Sequence, residues 1–88
     1  MKSADRRLYE GHIVSDPAIL SGKPVVRGTR VSVEMVLRYL AEDLDVAAIL
    51  AAFPRLTRED VQACVAYAET VIEGEDAFVA APGDGKPA

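Results

Sequence analysis

The chain has 88 residues, 50% of them apolar, with 14 acidic and ten basic side chains and a net charge of −4. This length excludes a multidomain protein, and the apolar content excludes an intrinsically disordered one. A single cysteine excludes an internal disulfide, and with no apolar run of about 18 residues we expect a cytoplasmic protein without a membrane partner.

Charge is distributed unevenly along the chain. Residues 1–40 carry a net charge of +3, whereas residues 41–88 carry −7. Surfaces of opposite sign attract partners of opposite sign, so we expect the two parts to face different macromolecules. The alternative is that these charges serve only solubility.

The first part of the chain predicts an arm followed by a short β ribbon. Residues 1–11 lack apolar periodicity and are predicted to form an N-terminal arm. Residues 12–15, with the β-branched Ile13 and Val14 at their centre, predict a short strand, and residues 25–31 predict a second extended segment. Gly28 lies within that segment and predicts a bend or bulge.

From residue 32 the apolar period becomes that of a helix. Three amphipathic helices are predicted, with N-caps at Ser32, Asp45 and Thr57, and Thr57 is paired with Asp60 in a capping box. The apolar stripes, in chain order, are Val33, Val36, Leu37 and Leu40; Val46, Ile49, Leu50 and Phe53; and Val61, Cys64, Val65, Ala68 and Ile72. Hydrophobic staples are expected to pair Val31 with Val36, Leu44 with Ile49, and Leu56 with Val61.

The predicted fold is therefore mainly α, with three helices preceded by a short N-terminal β ribbon. The domain covers residues 12–74, and residues 75–88 are predicted to form a flexible acidic tail rich in Pro and Gly. The lengths and spacing of the second and third helices are those of a helix-turn-helix. The alternative is a plain three-helix bundle whose last helix contacts protein.

Several side chains are candidates for DNA binding. Arg27 and Arg30 flank a bend in the ribbon, where both can contact phosphate, although structural ion pairs with carboxylates such as Glu34 are an alternative. The outward face of the third helix is expected to hold Arg58, Glu59, Gln62, Ala63, Ala66, Glu69 and Thr70. Of these, Arg58 and Gln62 suit DNA. The candidate DNA-binding residues are Arg27, Arg30, Lys23, Arg58 and Gln62.

No pattern in the sequence predicts an enzyme. His12 and Cys64 lie in different elements without further His or Cys to complete a metal site, and we interpret them as a strand residue and a core residue. No nucleophilic residue and base occur in a pattern typical of a catalytic site. We therefore expect a protein without catalytic residues, metal or cofactor.

Two segments carry a family resemblance. The run IVSDPAILSGKPVVRGTRVSV at residues 13–33 and the run FPRLTREDV at residues 53–61 closely resemble the small bacterial family called domain of unknown function 433. The resemblance covers about residues 12–72. It implies a homeodomain-like helix-turn-helix of three helices behind a short β element, commonly as a homodimer. It also implies a VapB-type antitoxin, often encoded beside a PIN-like toxin nuclease that it binds and silences.

The sequence departs from the family at the turn between the first two helices. Family members usually have Gly near position 43 and Ser or Thr near position 45, where this chain has Asp43 and Asp45. Asp45 is still a good N-cap, but Asp43 lacks glycine's freedom to adopt a positive φ. We therefore expect this turn to differ from the family's.

The leading functional hypothesis is an antitoxin of a type II toxin–antitoxin system. Its ribbon and helix-turn-helix bind operator DNA for autoregulation, and its acidic C-terminal part binds the cationic cleft expected of a PIN-like ribonuclease toxin. The candidate toxin-binding residues are Glu69, Glu73, Glu75, Asp76 and Phe78. The alternatives are a stand-alone helix-turn-helix repressor and a protein–protein adaptor that does not bind DNA.

Overall fold

Three α-helices and a two-stranded sheet make up the part of the chain that the computed structural model describes, residues 6–74. The elements in chain order are a 3₁₀ turn (Arg6–Leu8), β1 (Ile13–Val14), a second 3₁₀ turn (Leu20–Gly22), β2 (Val25–Val26), α1 (Val33–Asp43), α2 (Val46–Ala52) and α3 (Arg58–Gly74). The predicted mainly helical fold with a short β ribbon is confirmed. No helix in this range is long and apolar enough to cross a membrane.

The two strands form the ribbon in front of the helices. They are antiparallel, and Ile13 pairs with Val26 while Val14 pairs with Val25. Val25 also forms an isolated bridge with Ser32, directly before α1. The ribbon is therefore connected by backbone pairing to the start of the first helix.

A tight turn over residues 27–30 reverses the chain after β2. Gly28 has a φ of +80°, as the predicted bend requires, and glycine adopts this value without strain. The Thr29 hydroxyl closes the turn, because it donates to the carbonyl of Val26 at 2.8 Å and accepts from the N–H of Val31 at 3.0 Å. The Val26 N–H also donates to the Val31 carbonyl at 2.9 Å.

All three predicted N-caps are confirmed. Ser32 Oγ and Asp45 Oδ1 each accept a hydrogen bond from the N–H three residues further on, at 3.0 and 3.1 Å. Thr57 and Asp60 form the reciprocal capping box, since each side chain accepts from the other residue's N–H, at 3.1 and 3.0 Å. Local side-chain chemistry thus determines where each helix begins.

The junction between α1 and α2 contradicts one prediction, the staple of Leu44 with Ile49. The residue with a positive φ is Leu44, at 56°, and not Asp43, whose carboxylate instead accepts from the Asp45 N–H at 3.1 Å. Leu44 ends α1 by donating its N–H to the carbonyl of Leu40 at 2.8 Å. Its side chain is 78% exposed in this conformation, so the expected staple with Ile49 does not form.

The core lies where β2 and the three helices meet. Its buried members are Val26, Val33, Val36, Ile49, Leu56, Val61 and Cys64. Partly buried residues of the predicted stripes pack against it, among them Leu37, Leu40, Val46, Leu50 and Phe53. The stripes predicted for the first two helices are therefore confirmed, and the remaining two staple pairs lie in or against this core.

The prediction for α3 is wrong at four positions. Val65 and Ile72 were expected in the core and are 47% and 61% exposed, whereas Ala63 and Ala66 were expected on the outward face and are buried. The buried face of the helix is thus rotated relative to the predicted one.

The N-terminal segment explains this rotation, because it packs on α3. The Tyr9 ring meets the Tyr67 ring edge to face with centroids 5.5 Å apart, and His12 hydrogen-bonds to Asp60. Ala63 lies on the same helix face as Asp60 and Tyr67, about one turn from each, and its small side chain permits close approach. The described part of the predicted arm, residues 6–11, therefore lies against the helix.

Candidate nucleic-acid interface

Two turns lie side by side and line one open cleft. They are the turn after β2, residues 27–30, and the turn between α2 and α3, residues 53–57. The cleft has a volume of about 570 Å³, and Arg30, Arg55 and Phe53 are among the residues that line it. We call it the arginine cleft.

Arg27 and Arg30 are both exposed on the turn that Thr29 closes. Within residues 6–74 neither guanidinium forms an ion pair or a hydrogen bond. The alternative expected from the sequence, an ion pair with Glu34, is not found in residues 6–74. The Glu34 carboxylate instead pairs with Lys23 and Arg38. Both arginines therefore present charge to solvent from a turn whose backbone is held by internal hydrogen bonds.

The other candidate DNA-binding residues lie elsewhere. Lys23 Nζ is 3.2 Å from Glu34 Oε1 in an exposed ion pair, and Lys23 does not line the arginine cleft. Arg58 and Gln62 line a second groove of about 330 Å³, together with Glu59. The structure thus brings Arg58 and Gln62 together, as predicted, but divides the five candidates among three places.

Two residues of the cleft were not predicted from the sequence to belong to a binding site. Arg55 is a cation in the turn between the second and third predicted helices, and this position could have indicated a binding residue. Phe53 was predicted only as a core residue. Phe53 packs against the core and also lines the cleft, because it lies at the last turn of α2, where its N–H donates to the Ile49 carbonyl at 2.9 Å. Tyr39 contacts its ring edge to face, with centroids 5.2 Å apart.

A second missed feature joins the ribbon to α3. His12 Nδ1 lies 2.8 Å from Asp60 Oδ1, and the Asp60 side chain is 15% exposed. Partial burial works to raise the pKa of Asp60, but hydrogen bonds from His12 and Thr57 and the charge of His12 together lower this pKa below its ordinary value. The carboxylate therefore stays ionised and connects His12, the residue before β1, to the start of α3.

Cys64 is a core residue, as expected. Burial, with the nearby charge of Asp60, raises the pKa of its thiol to about 12. The thiol is therefore protonated at neutral pH. In residues 6–74 no group of three or more His, Cys, Asp or Glu side chains is arranged to hold a metal ion.

The candidate toxin-binding residues fall on both sides of the boundary of the described chain. Glu69 and Glu73 are exposed on the last turns of α3, whereas Glu75, Asp76 and Phe78 lie outside the described residues. Next to them Val71 and Ile72 are 39% and 61% exposed. They line a groove of about 410 Å³ between α1 and α3, called here the α1–α3 groove, which also includes Leu37, Tyr67 and Ala68.

Residues 13–68 match the family described as "Protein of unknown function (DUF433)". The chain belongs to this family. The matched segment contains both walls of the arginine cleft and ends before Glu69. The family resemblance found in the sequence is therefore confirmed over the fold and the cleft.

Two known proteins are similar to this chain, and one of them is described as a member of this family. The chain is 44% identical over 57 residues to the uncharacterized protein y4eO of Sinorhizobium fredii, which corresponds to 65% of this chain and 26% of that protein. It thus spans about a quarter of the length of this curated relative. The fold is similar to the crystal structure of a DUF433 member protein from Anabaena variabilis ATCC 29413, with a TM-score of 0.68 and 28% identity over 82% of this chain and 71% of that one.

Proposed function

We propose that this protein is a non-enzymatic, DNA-binding antitoxin of the VapB type, which represses its own operator and neutralises a PIN-like ribonuclease. DNA binding is supported above all by Arg27 and Arg30, which are exposed on a closed turn and have no carboxylate partner within residues 6–74. Unpaired arginines on a rigid turn suit the phosphates of a duplex, because little side-chain pairing has to be broken on binding.

We propose further that α2 and α3 act as a homeodomain-like helix-turn-helix. Arg58 and Gln62 lie close together near the start of α3, where a recognition helix contacts base edges. Glu59 lines the same groove and favours a site with a cytosine amino group facing it. In this arrangement the arginine turn contributes phosphate contacts and α3 contributes base contacts.

The salt dependence of binding tests the DNA role. We expect affinity for the duplex upstream of the gene to fall with salt, and Arg27→Gln or Arg30→Gln each to reduce the slope of log K against log salt by about 0.9 per chain. Arg38→Gln is the matched control, because it removes an exposed arginine on α1 that pairs with Glu34 at 3.4 Å. A slope unchanged by both turn variants, or changed equally by Arg38→Gln, contradicts the proposal.

Toxin binding is supported by the far end of α3. There Val71 and Ile72 are exposed beside Glu73, so this surface combines apolar area with negative charge. A nuclease that binds RNA phosphates needs a cationic cleft, which such a surface complements. We propose that the last turns of α3, continued by the candidate residues Glu75, Asp76 and Phe78, bind the toxin.

Size-exclusion chromatography with the product of the neighbouring gene tests this role. We expect a single complex at micromolar concentration, and a loss of complex in the variant Val71→Ser with Ile72→Ser. The matched control is Leu20→Ser, which changes an apolar residue of 42% exposure that does not line the α1–α3 groove. Two separate peaks with DNA binding intact indicate the stand-alone repressor instead. Two separate peaks without DNA binding indicate the adaptor.

We also propose a homodimer as the DNA-binding unit. A dimer places two copies of the arginine turn on successive half-sites of a palindrome, which doubles the number of phosphate contacts. Analytical ultracentrifugation of the free chain and of its DNA complex measures this directly. A complex that contains one chain per duplex contradicts it.

A further inference from the structure

We propose that the arginine cleft binds one unpaired nucleotide, with its base against Phe53 and its phosphate between Arg30 and Arg55. The proposal rests in part on the proposed function, because Arg30 also belongs to the duplex-binding turn. It adds a second ligand class, a single nucleotide whose base is neither paired nor stacked.

The charge of the cleft selects an anion. Arg30 and Arg55 reach it from two different turns, and no carboxylate is among the described residues that line it. Neither guanidinium is neutralised by a partner within residues 6–74. A planar guanidinium on each side matches the geometry of a phosphate group.

The backbone of the turn adds to this selection. The N–H groups of Gly28 and Arg30 donate to no group in the described part of the chain, whereas the N–H groups of Thr29 and Val31 are used to close the turn. Gly28 lines the cleft without a side chain. Free amides on a turn bind phosphate oxygens in the same way as other backbone anion sites.

The remaining walls select a planar apolar group. Phe53, Ile19 and Val31 line the cleft, and the Tyr39 ring supports the Phe53 ring from the side at 5.2 Å. A volume of about 570 Å³ lies in the range of pockets that bind small organic ligands. An aromatic surface next to arginines is the combination by which proteins bind unstacked bases.

The base has to be unpaired because of the position of Phe53. The ring belongs to the cleft wall and packs against the core, so it does not move outward to meet a duplex. In a duplex both faces of each base are covered by its neighbours. The shared chemistry of an aromatic base with a phosphate is found in single-stranded nucleic acid and in free nucleotides.

Fluorescence anisotropy with the full chain distinguishes these ligands. The probes are a fluorescein-labelled single-stranded 12-mer and the duplex of the same sequence, with AMP and inorganic phosphate as competitors. We expect the chain to bind the single strand, and AMP to displace it at concentrations where phosphate alone does not. Displacement by AMP would show that the site also binds free nucleotides. Single-strand binding that Phe53→Leu weakens but AMP does not displace restricts it to the polymer.

Three variants test the residues. Phe53→Leu keeps the apolar side chain but removes the ring, so we expect single-strand affinity to fall at least about fivefold with duplex affinity unchanged. Arg55→Gln changes an exposed side chain and leaves the core intact, and we expect it to weaken single-strand binding by a similar factor. Arg38→Gln is the control and should change neither affinity.

The two proposals fail in different measurements. Single-strand affinity that is unchanged in both Phe53→Leu and Arg55→Gln overturns the nucleotide site, as does phosphate that competes as well as AMP. Arg27 does not line the cleft, so Arg27→Gln should weaken duplex binding and leave AMP binding unchanged. A wild-type chain that binds the single strand but not the duplex therefore refutes the operator role without refuting the nucleotide site.

Discussion

The two halves of α3 differ in how they are held. The first half is fixed by the capping box of Thr57 and Asp60 and by the bond from His12, and the ring of Tyr9 packs against Tyr67 near the middle of the helix. The last turns instead expose large apolar side chains to solvent, and Ile72 is 61% exposed.

This difference separates the part of the helix that is held by the fold from the part that we propose binds a partner. The fixed half positions the turns that carry the arginines, because it begins directly after residues 53–57 and bonds to His12, the residue before β1. The exposed half contributes little to the core and keeps an apolar surface available for a partner. The four predictions below test whether this division is correct.

The largest expected effect is a difference in thiol reactivity between buried Cys64 and a cysteine placed at the adjacent exposed position 65. Burial raises the pKa of Cys64 from 9.0 to about 12, so its thiolate fraction near pH 8 is about a thousandfold below that of an exposed thiol. We expect a thiol reagent to modify Cys64 that much more slowly in the folded protein than in urea. The control places a cysteine at exposed Val65 in a Cys64→Ala background. Similar rates for both sites would show that the first half of α3 is not fixed.

Asp60→Ala should produce a large loss of stability in the fixed half. It removes the hydrogen bonds with Thr57 and His12, and we expect the free energy of unfolding to fall by about 2–3 kcal/mol. Urea denaturation measures this value. Glu59→Ala is the control, because it removes the exposed neighbouring acid and should cost less than about 0.5 kcal/mol. Equal losses in both variants would assign the effect to helix-end charge alone.

The same carboxylate predicts a pH dependence of stability. The pKa of Asp60 is lowered in the folded state, so its contribution is complete above the ordinary Asp value near 3.8 and is lost as the pH falls through the folded value. We expect the wild-type chain to lose more stability than Asp60→Asn between pH 5 and pH 2. The effect is smaller than deletion of the side chain, because a protonated carboxyl still hydrogen-bonds. Parallel curves for the two proteins would contradict the shift.

The smallest effect is expected at the exposed end of the helix. Ile72→Ala should change the free energy of unfolding by less than about 0.5 kcal/mol, because the side chain is already mostly in water. Val61→Ala is the contrasting variant, since Val61 is 4% exposed and its truncation should cost about 2 kcal/mol. A cost at Ile72 comparable to that at Val61 would mean that the last turns belong to the core.

The features that the sequence predicted correctly are local. Ser32, Asp45 and the Thr57–Asp60 pair each determine a helix start through a neighbour three residues away, so their patterns are visible along the chain. The arginines of the turn were visible for the same reason. Leu44 shows the limit, because its left-handed backbone conformation turned an expected staple residue into an exposed one.

The missed features depend on segments distant in sequence. His12 and Asp60 are 48 residues apart, and nothing near either residue indicates the other. The burial of Ala63 follows from the packing of Tyr9 and His12 on α3, and the arm, which lacks apolar periodicity, gave no sign of that contact. The arginine cleft likewise exists only because two distant turns meet.

In the turn at residues 27–30, the residues that set the backbone conformation differ from those that carry the exposed charges. Gly28 provides the left-handed backbone, and the Thr29 hydroxyl makes the two hydrogen bonds that close the loop. The side chains at positions 27 and 30 are therefore not needed to hold the turn in its conformation. A randomised library at these two positions, with Gly28 and Thr29 kept, should yield folded chains of altered ligand preference. Natural substitutions at the same two positions could therefore change what the protein binds without changing its fold.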